Sequence, residues 1–108
     1  MLIIKDFEGW PSGDCKPIIE LNFNPDELAL RYSLNFAKEK DDLDWYQGTH
    51  FYLEDVCGPI VLMRHENSPT DGTVVYIDSK EDSFNAIARI KEALKIGDCK
   101  LLWIADDA

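Results

Sequence analysis

From Pro17 onward, apolar and polar residues exchange places at almost every step: Ile19, Leu21 and Phe23 alternate with Glu20, Asn22 and Asn24. After Pro25-Asp26-Glu27, Leu28, Leu30, Tyr32, Leu34 and Phe36 alternate with Ala29, Arg31, Ser33 and Asn35. Side chains of a strand point alternately to the two faces of a sheet, so a period of two sorts the large residues onto one face and predicts half-buried strands. Asn24-Pro25-Asp26-Glu27 then reads as a hairpin turn, with proline pre-set for its second position. A helix capped by Asn24, with Pro25 at its first position and Asp26 and Glu27 offsetting the dipole, is the rival for the second segment. The strict alternation favours the hairpin, because a helix there would spread its apolar residues over most of its circumference.

The remaining segments point the same way. Leu2 to Lys5 reads as a short strand and Gly9 to Asp14 as a loop. Lys38 to Asp44 is a charged connection, and Thr49–Leu53 and Pro59–Arg64 read as paired strands joined through Glu54-Asp55-Val56-Cys57-Gly58. Glu66 to Gly72 has the composition of a turn, and Thr73-Val74-Val75-Tyr76-Ile77 has the β-branched and aromatic content of a strand. A long helix follows, capped by Ser79, with Phe84, Ile87, Ala88, Ile90 and Leu94 at three- and four-residue spacing and Gly97 as its stop. Leu101-Leu102-Trp103-Ile104 is a last short strand before an acidic tail. The expected fold is α+β: one domain over residues 1–108, a mainly antiparallel sheet, and one long C-terminal helix packed on one face and followed by a short strand.

With 45% hydrophobic residues the chain has enough apolar material for one core. No apolar run approaches the roughly 20 residues of a membrane-spanning helix, and the first residues lack the basic region and cleavage site of a signal peptide. Cys15, Cys57 and Cys99 stand far apart, without disulfide or metal-ligand spacing, and suit a reducing cytoplasm. Twenty-one acidic residues against 11 basic ones give a net charge of −10. Such a surface repels phosphate backbones, which disfavours nucleic acid as a partner, and it speeds encounter with a basic protein.

A search for chemistry finds two imidazoles, His50 and His65, both in strands, and no nucleophile elbow. Phosphate loops, calcium loops and zinc spacings are absent as sequence patterns. The expectation is a non-enzymatic protein without metal or cofactor. Its binding residues are sought where acids adjoin aromatics, the combination of a charged rim around an anchoring centre. Glu39, Asp41, Asp42, Asp44, Trp45 and Tyr46 form the first candidate, Glu54 and Asp55 the second, and Asp106-Asp107 the third.

The stretch DDLDWYQGTHFYLEDVCGPIVLMRHENSPTDGTVVYID, from Asp41 to Asp78, resembles small bacterial immunity proteins carried in polymorphic-toxin and contact-dependent growth inhibition loci. It is also similar to short cyanobacterial-type proteins with the same DDLD, PxxLMRH, SP and VYID order. The resemblance implies a cytoplasmic protein that binds a cognate toxin domain, of basic nuclease type, and occludes its active site. The alternative is an acidic regulatory or accessory protein-binding module, a nucleic-acid mimic included. Neither reading involves a membrane, and the oligomeric state is left open.

Overall fold

The computed structural model describes residues 2–4, 15–40, 45–56 and 58–104. Among the described residues, seven strands and two helices run in the order β1 (Leu2–Ile4), β2 (Cys15–Leu21), α1 (Pro25–Tyr32), β3 (Ala37–Lys40), β4 (Trp45–Leu53), β5 (Ile60–His65), β6 (Thr73–Asp78), α2 (Ser83–Leu94) and β7 (Leu101–Ile104), with a 3₁₀ turn at Asp98–Lys100 before the last strand. The strands form one sheet in the order β1-β4-β5-β6-β2-β7. Every pairing in it is antiparallel. One edge of the nine-residue β4 pairs with β5; its other edge is shared by β3, opposite Trp45–Gly48, and β1, opposite Phe51–Leu53.

The helical layer corrects the expectation of one long C-terminal helix on a sheet: it consists of two short helices, of eight and twelve residues. The first occupies the segment expected to be a strand. Asn24 caps it with a reciprocal pair of bonds, the Glu27 amide donating to Asn24 Oδ1 at 2.8 Å and the Asn24 amide to Glu27 Oε1 at 3.0 Å. Burial decides between the two periods: Leu28 is fully buried and Leu30 is 87% exposed, although a strand would place both on one face. Ser33 ends the helix in the left-handed region at φ 55°, and Leu34 turns back into the core. Replacing Asn24 by alanine removes the Oδ1 acceptor of the Glu27 amide while the backbone amide of residue 24 keeps its bond to Glu27, and chemical denaturation should show a loss of about 1 kcal/mol.

The second helix starts at Ser83, four residues after the expected cap at Ser79; its cap is Asp82, whose side chain accepts from the Phe84 amide at 3.0 Å. Ala86, Ile87, Ile90 and Leu94 line its buried face, whereas Phe84, expected in the core, is 61% exposed. Lys95, at φ 56°, ends the helix ahead of Gly97. The Tyr32 hydroxyl donates to the Leu94 carbonyl at 2.7 Å, which ties the end of α1 to the end of α2.

These helices cover one face of the sheet. Phe51, Leu53, Ile60, Leu62, Val75 and Ile77 point into the core from β4, β5 and β6, and meet Leu28, Ile87 and Ile90 from above. Two consecutive isoleucines of β2, Ile18 and Ile19, are both fully buried because the pairing with β6 slips by one residue between Pro17 and Ile19. No helix among the described residues is long and apolar enough to cross a membrane.

Candidate binding site on the sheet face opposite the described helices

The pleat that sends Phe51 and Leu62 to the helices sends Tyr46, His50, Val61, Met63, His65, Val74, Tyr76 and Glu20 to the opposite face, where the register aligns them across β4, β5, β6 and β2. Its aromatic rings pack sideways: Tyr46 against His65 at 5.6 Å between centroids, and His50 edge-on to Tyr52 at 5.8 Å. His50 and His65 stand on this face, on separate strands, each beside a tyrosine.

A cavity of about 350 Å³ opens on this face at the β5–β6 hairpin. Met63 and Val74, directly opposite each other in the register, supply its apolar floor together with Tyr76. Arg64, His65, Asn67 and Ser68 supply its polar wall, and Gly72 closes the side toward β2. The Arg64 guanidinium is tied down, donating to the Thr70 carbonyl at 3.0 Å and lying 3.5 Å from Asp71.

Behind Gly72 stands a buried carboxylate. Glu20 is only 7% exposed, and it accepts from the Trp103 indole Nε1 at 2.7 Å and from the Thr70 hydroxyl. A buried charge is costly unless it is hydrogen-bonded, so these two donors make the position tenable. The same bonds join three distant parts of the chain: β2, the hairpin loop and β7. The indole is thereby held in one orientation with 38% of Trp103 exposed, beside Leu102 at 44% and Ile104 at 45%. Within β7 the register slips between Glu20 and Leu21, so that Trp103 faces Glu20 and Leu101 faces Leu21, leaving Leu102 as the extra residue of a bulge that reaches toward Gly72.

Of the residues singled out from the sequence, Tyr46 stands on this face. Asp41, Asp42 and Asp44 of the first candidate, and Asp106-Asp107 of the third, lie outside the described residues; Glu39 pairs with Tyr46 in the β3–β4 ladder. Trp45 and Tyr46 open β4, and alternation parts them: Tyr46 is buried on the face that no described helix covers, while Trp45 is 43% exposed. The neighbours over the Trp45 ring are Lys38 and Lys40, at 5.7 and 5.9 Å, so its described surroundings are cationic. Lys38 also pairs with Glu66 at 2.6 Å.

Glu54 and Asp55 are exposed at the other end of β4, roughly 25–30 Å from Trp45 at strand rise. They line a second cavity, of about 260 Å³, with Arg89, Glu92 and Lys95 of the α2 end. Arg89 lies 3.9 Å from Asp55 and 3.4 Å from Glu92, and the Asn85 amide donates to the Asp55 carbonyl at 3.2 Å. Trp45 and Tyr46 of the first candidate therefore do not share a site with Glu54 and Asp55. Among the described residues no group of three or more His, Cys, Asp or Glu side chains is placed to hold a metal ion. Cys15 and Cys99 are exposed thiols; Cys57 lies outside the described residues.

Sequence reading missed Glu20, Thr70, Gly72 and Trp103 as a group. Glu20 and Trp103 are 83 positions apart, and only the adjacency of β2 and β7 brings them together. Comparison of the chain with protein-family models, with curated proteins and with solved structures finds no match.

Proposed function

We propose that this protein binds a basic protein partner and neutralises it by covering its working surface, in the manner of an immunity protein that blocks a toxin's active site. The observation that carries this reading is the pairing of a net charge of −10 with exposed apolar side chains at Leu102, Trp103 and Ile104, of which Trp103 is held by its bond to Glu20. Interfaces draw most of their binding energy from a few aromatic and aliphatic anchors in a desolvated centre, and charge around them sets the encounter rate and the choice of partner. Trp103 meets the first requirement: its donor is satisfied inside the protein by Glu20, which leaves the ring face to a partner without a polar group to desolvate. The resemblance of residues 41–78 to immunity proteins names the class of partner: a toxin domain with a basic, nuclease-type surface.

The test is recovery on tagged protein from extract of the native cell, with washes of rising salt, followed by an activity assay of what is recovered. A single basic protein, bound at near-equal stoichiometry, released by salt and inhibited in its own activity by added protein, is the expected result. A neutral or acidic partner, or a basic one whose activity is unchanged in the complex, overturns the proposal.

A further inference from the structure

We propose that the cavity at the β5–β6 hairpin is the anchor pocket of this interface, and that it receives an apolar side chain from a segment of the partner whose neighbouring residues are basic. The inference rests on the reading of the protein as a binder of basic proteins and specifies where and how that binding is anchored.

The cavity and the exposed residues of β7 are parts of one surface. Gly72 lines the cavity on one side, and on its other side Leu102 and Glu20 crowd it so closely that a methyl group there would lie 2.7 Å from Leu102 Cδ1. A chain lying along Leu102 and Trp103 therefore passes over Gly72 directly onto Met63 and Val74. The floor of Met63, Val74 and Tyr76 is apolar and aromatic, with a flexible thioether that adapts to an incoming side chain. A volume of about 350 Å³ accommodates one large aliphatic or aromatic side chain with its flanking backbone.

Charge selects the occupant. Two acids of the hairpin loop adjoin the lining residues in sequence: Glu66 is paired with Lys38 at 2.6 Å, and Asp71 lies 3.5 Å from Arg64 with its side chain 97% exposed. The cation nearest the cavity, Arg64, is already engaged by the Thr70 carbonyl and Asp71. A second copy of this chain would bring another net charge of −10 against this one, whereas lysine or arginine beside the anchor would meet the exposed Asp71 carboxylate and the field of the whole protein.

The pocket is tested with three synthetic capped pentapeptides, Lys-Lys-Phe-Lys-Lys, Lys-Lys-Ala-Lys-Lys and Glu-Glu-Phe-Glu-Glu, titrated into the intact protein and followed by NMR of the Met63 and Val74 methyl groups. The phenylalanine peptide with lysines should shift those methyls in a saturable way and bind at least about tenfold more tightly than its alanine counterpart, the ratio expected from burying one aromatic side chain. The Asp71→Lys variant, altered at an exposed position, should keep the native melting temperature and weaken that peptide by about threefold or more at low salt. Val74→Lys, which sets a cation in the floor, should abolish the shift of the Met63 methyl, the probe that this variant retains.

Equal binding of the two lysine peptides, with shifts spread over the acidic surface, overturns the anchor pocket and leaves the basic-partner reading standing. Preference for the glutamate peptide overturns both. Methyl signals that no peptide moves, together with sedimentation as a dimer, show that a second copy covers the cavity and overturn the proposal; a monomer with no response overturns it equally.

Discussion

Phe51→Ala is expected to cost about 3–5 kcal/mol and to lower the melting temperature by at least about 15 °C. Phe51 is fully buried in the middle of the long strand β4, paired with Ile4 on one side and Ile60 on the other, and it points into the helix-covered core. Truncation to alanine removes most of an aromatic ring's burial and leaves a hole. The floor of that hole is a hydrogen-bonded sheet, which relaxes little. A chain of 108 residues has a stability of roughly 5–15 kcal/mol, so this one change removes about a fifth or more of the total. Urea unfolding followed by circular dichroism measures it. The control is Leu30→Ala in α1, at a site 87% exposed, which should stay within about 0.5 kcal/mol of the parent, while Leu28→Ala two residues earlier should cost about 2–5 kcal/mol. Similar losses at 28 and 30 would mean that this segment is a strand after all, and a loss under about 2 kcal/mol at Phe51 would contradict the packing of β4 described above.

The contrast between Leu28 and Leu30 also explains what could be read from the chain before its structure. The strands at residues 2–4, 49–53, 60–64, 73–77 and 101–104 were legible because each is a short apolar run of β-branched and aromatic residues bounded by turn formers, a local signal. The segment 25–36 carried two local signals that disagreed. The cap Asn24-Pro25-Asp26-Glu27 called for a helix, and the alternation of Leu28 to Phe36 called for a strand. The cap prevailed because the helix is only eight residues long: Ser33 reverses the chain before the alternation matters, and Leu34 and Phe36 reach the core from beyond the helix end. The boundaries of α2 slipped for a related reason. Two capping residues, Ser79 and Asp82, precede the same apolar stripe; the turn at Ser79–Lys80, in which the Asp78 side chain accepts from the Lys80 amide at 2.9 Å and the Asp78 carbonyl from the Glu81 amide at 3.0 Å, holds the chain out of the helix until Asp82.

Of the candidate site less was legible, and the cause is topological. Acid next to aromatic in sequence, as in Asp44-Trp45-Tyr46, says nothing about neighbours across a sheet, and β3 sets Lys38 and Lys40 over the Trp45 ring. Glu20 looked like one of many solvated acids because its partners, Thr70 and Trp103, are 50 and 83 positions away. Met63 and Val74 looked like ordinary strand residues; they make a cavity floor because the hairpin places them opposite each other on the face that no described helix covers.

Gly72→Ala should destabilise the protein by about 1–3 kcal/mol even though the substitution adds a single methyl group. The requirement for glycine here is one of space, not of backbone angle. A methyl group at residue 72 would lie 2.7 Å from Leu102 Cδ1 and 2.7 Å from the carbonyl oxygen of Leu21, and it would also overlap the Glu20 carboxylate. Leu102 can change rotamer. The Leu21 carbonyl cannot move freely, because β2 is held between β6 and β7, and Glu20 cannot move without abandoning Thr70 or Trp103. The strain therefore falls on the hairpin loop, which must draw away from β2 and so loosen the Thr70 bond to a buried carboxylate. The expected signature is a lower melting temperature together with a shift of the Trp103 indole N–H resonance, since one of the two donors to Glu20 is lost and the other must compensate. Adding Leu102→Ala removes the side chain that crowds the methyl from β7, so the double variant should be less destabilised than the sum of the two single ones, by at least about 0.5 kcal/mol. Strict additivity would show that the methyl is accommodated without touching β7. In that case the cavity and the exposed residues of the edge strand would be independent surfaces, and an interface built on their continuity through Gly72 would lose its structural basis.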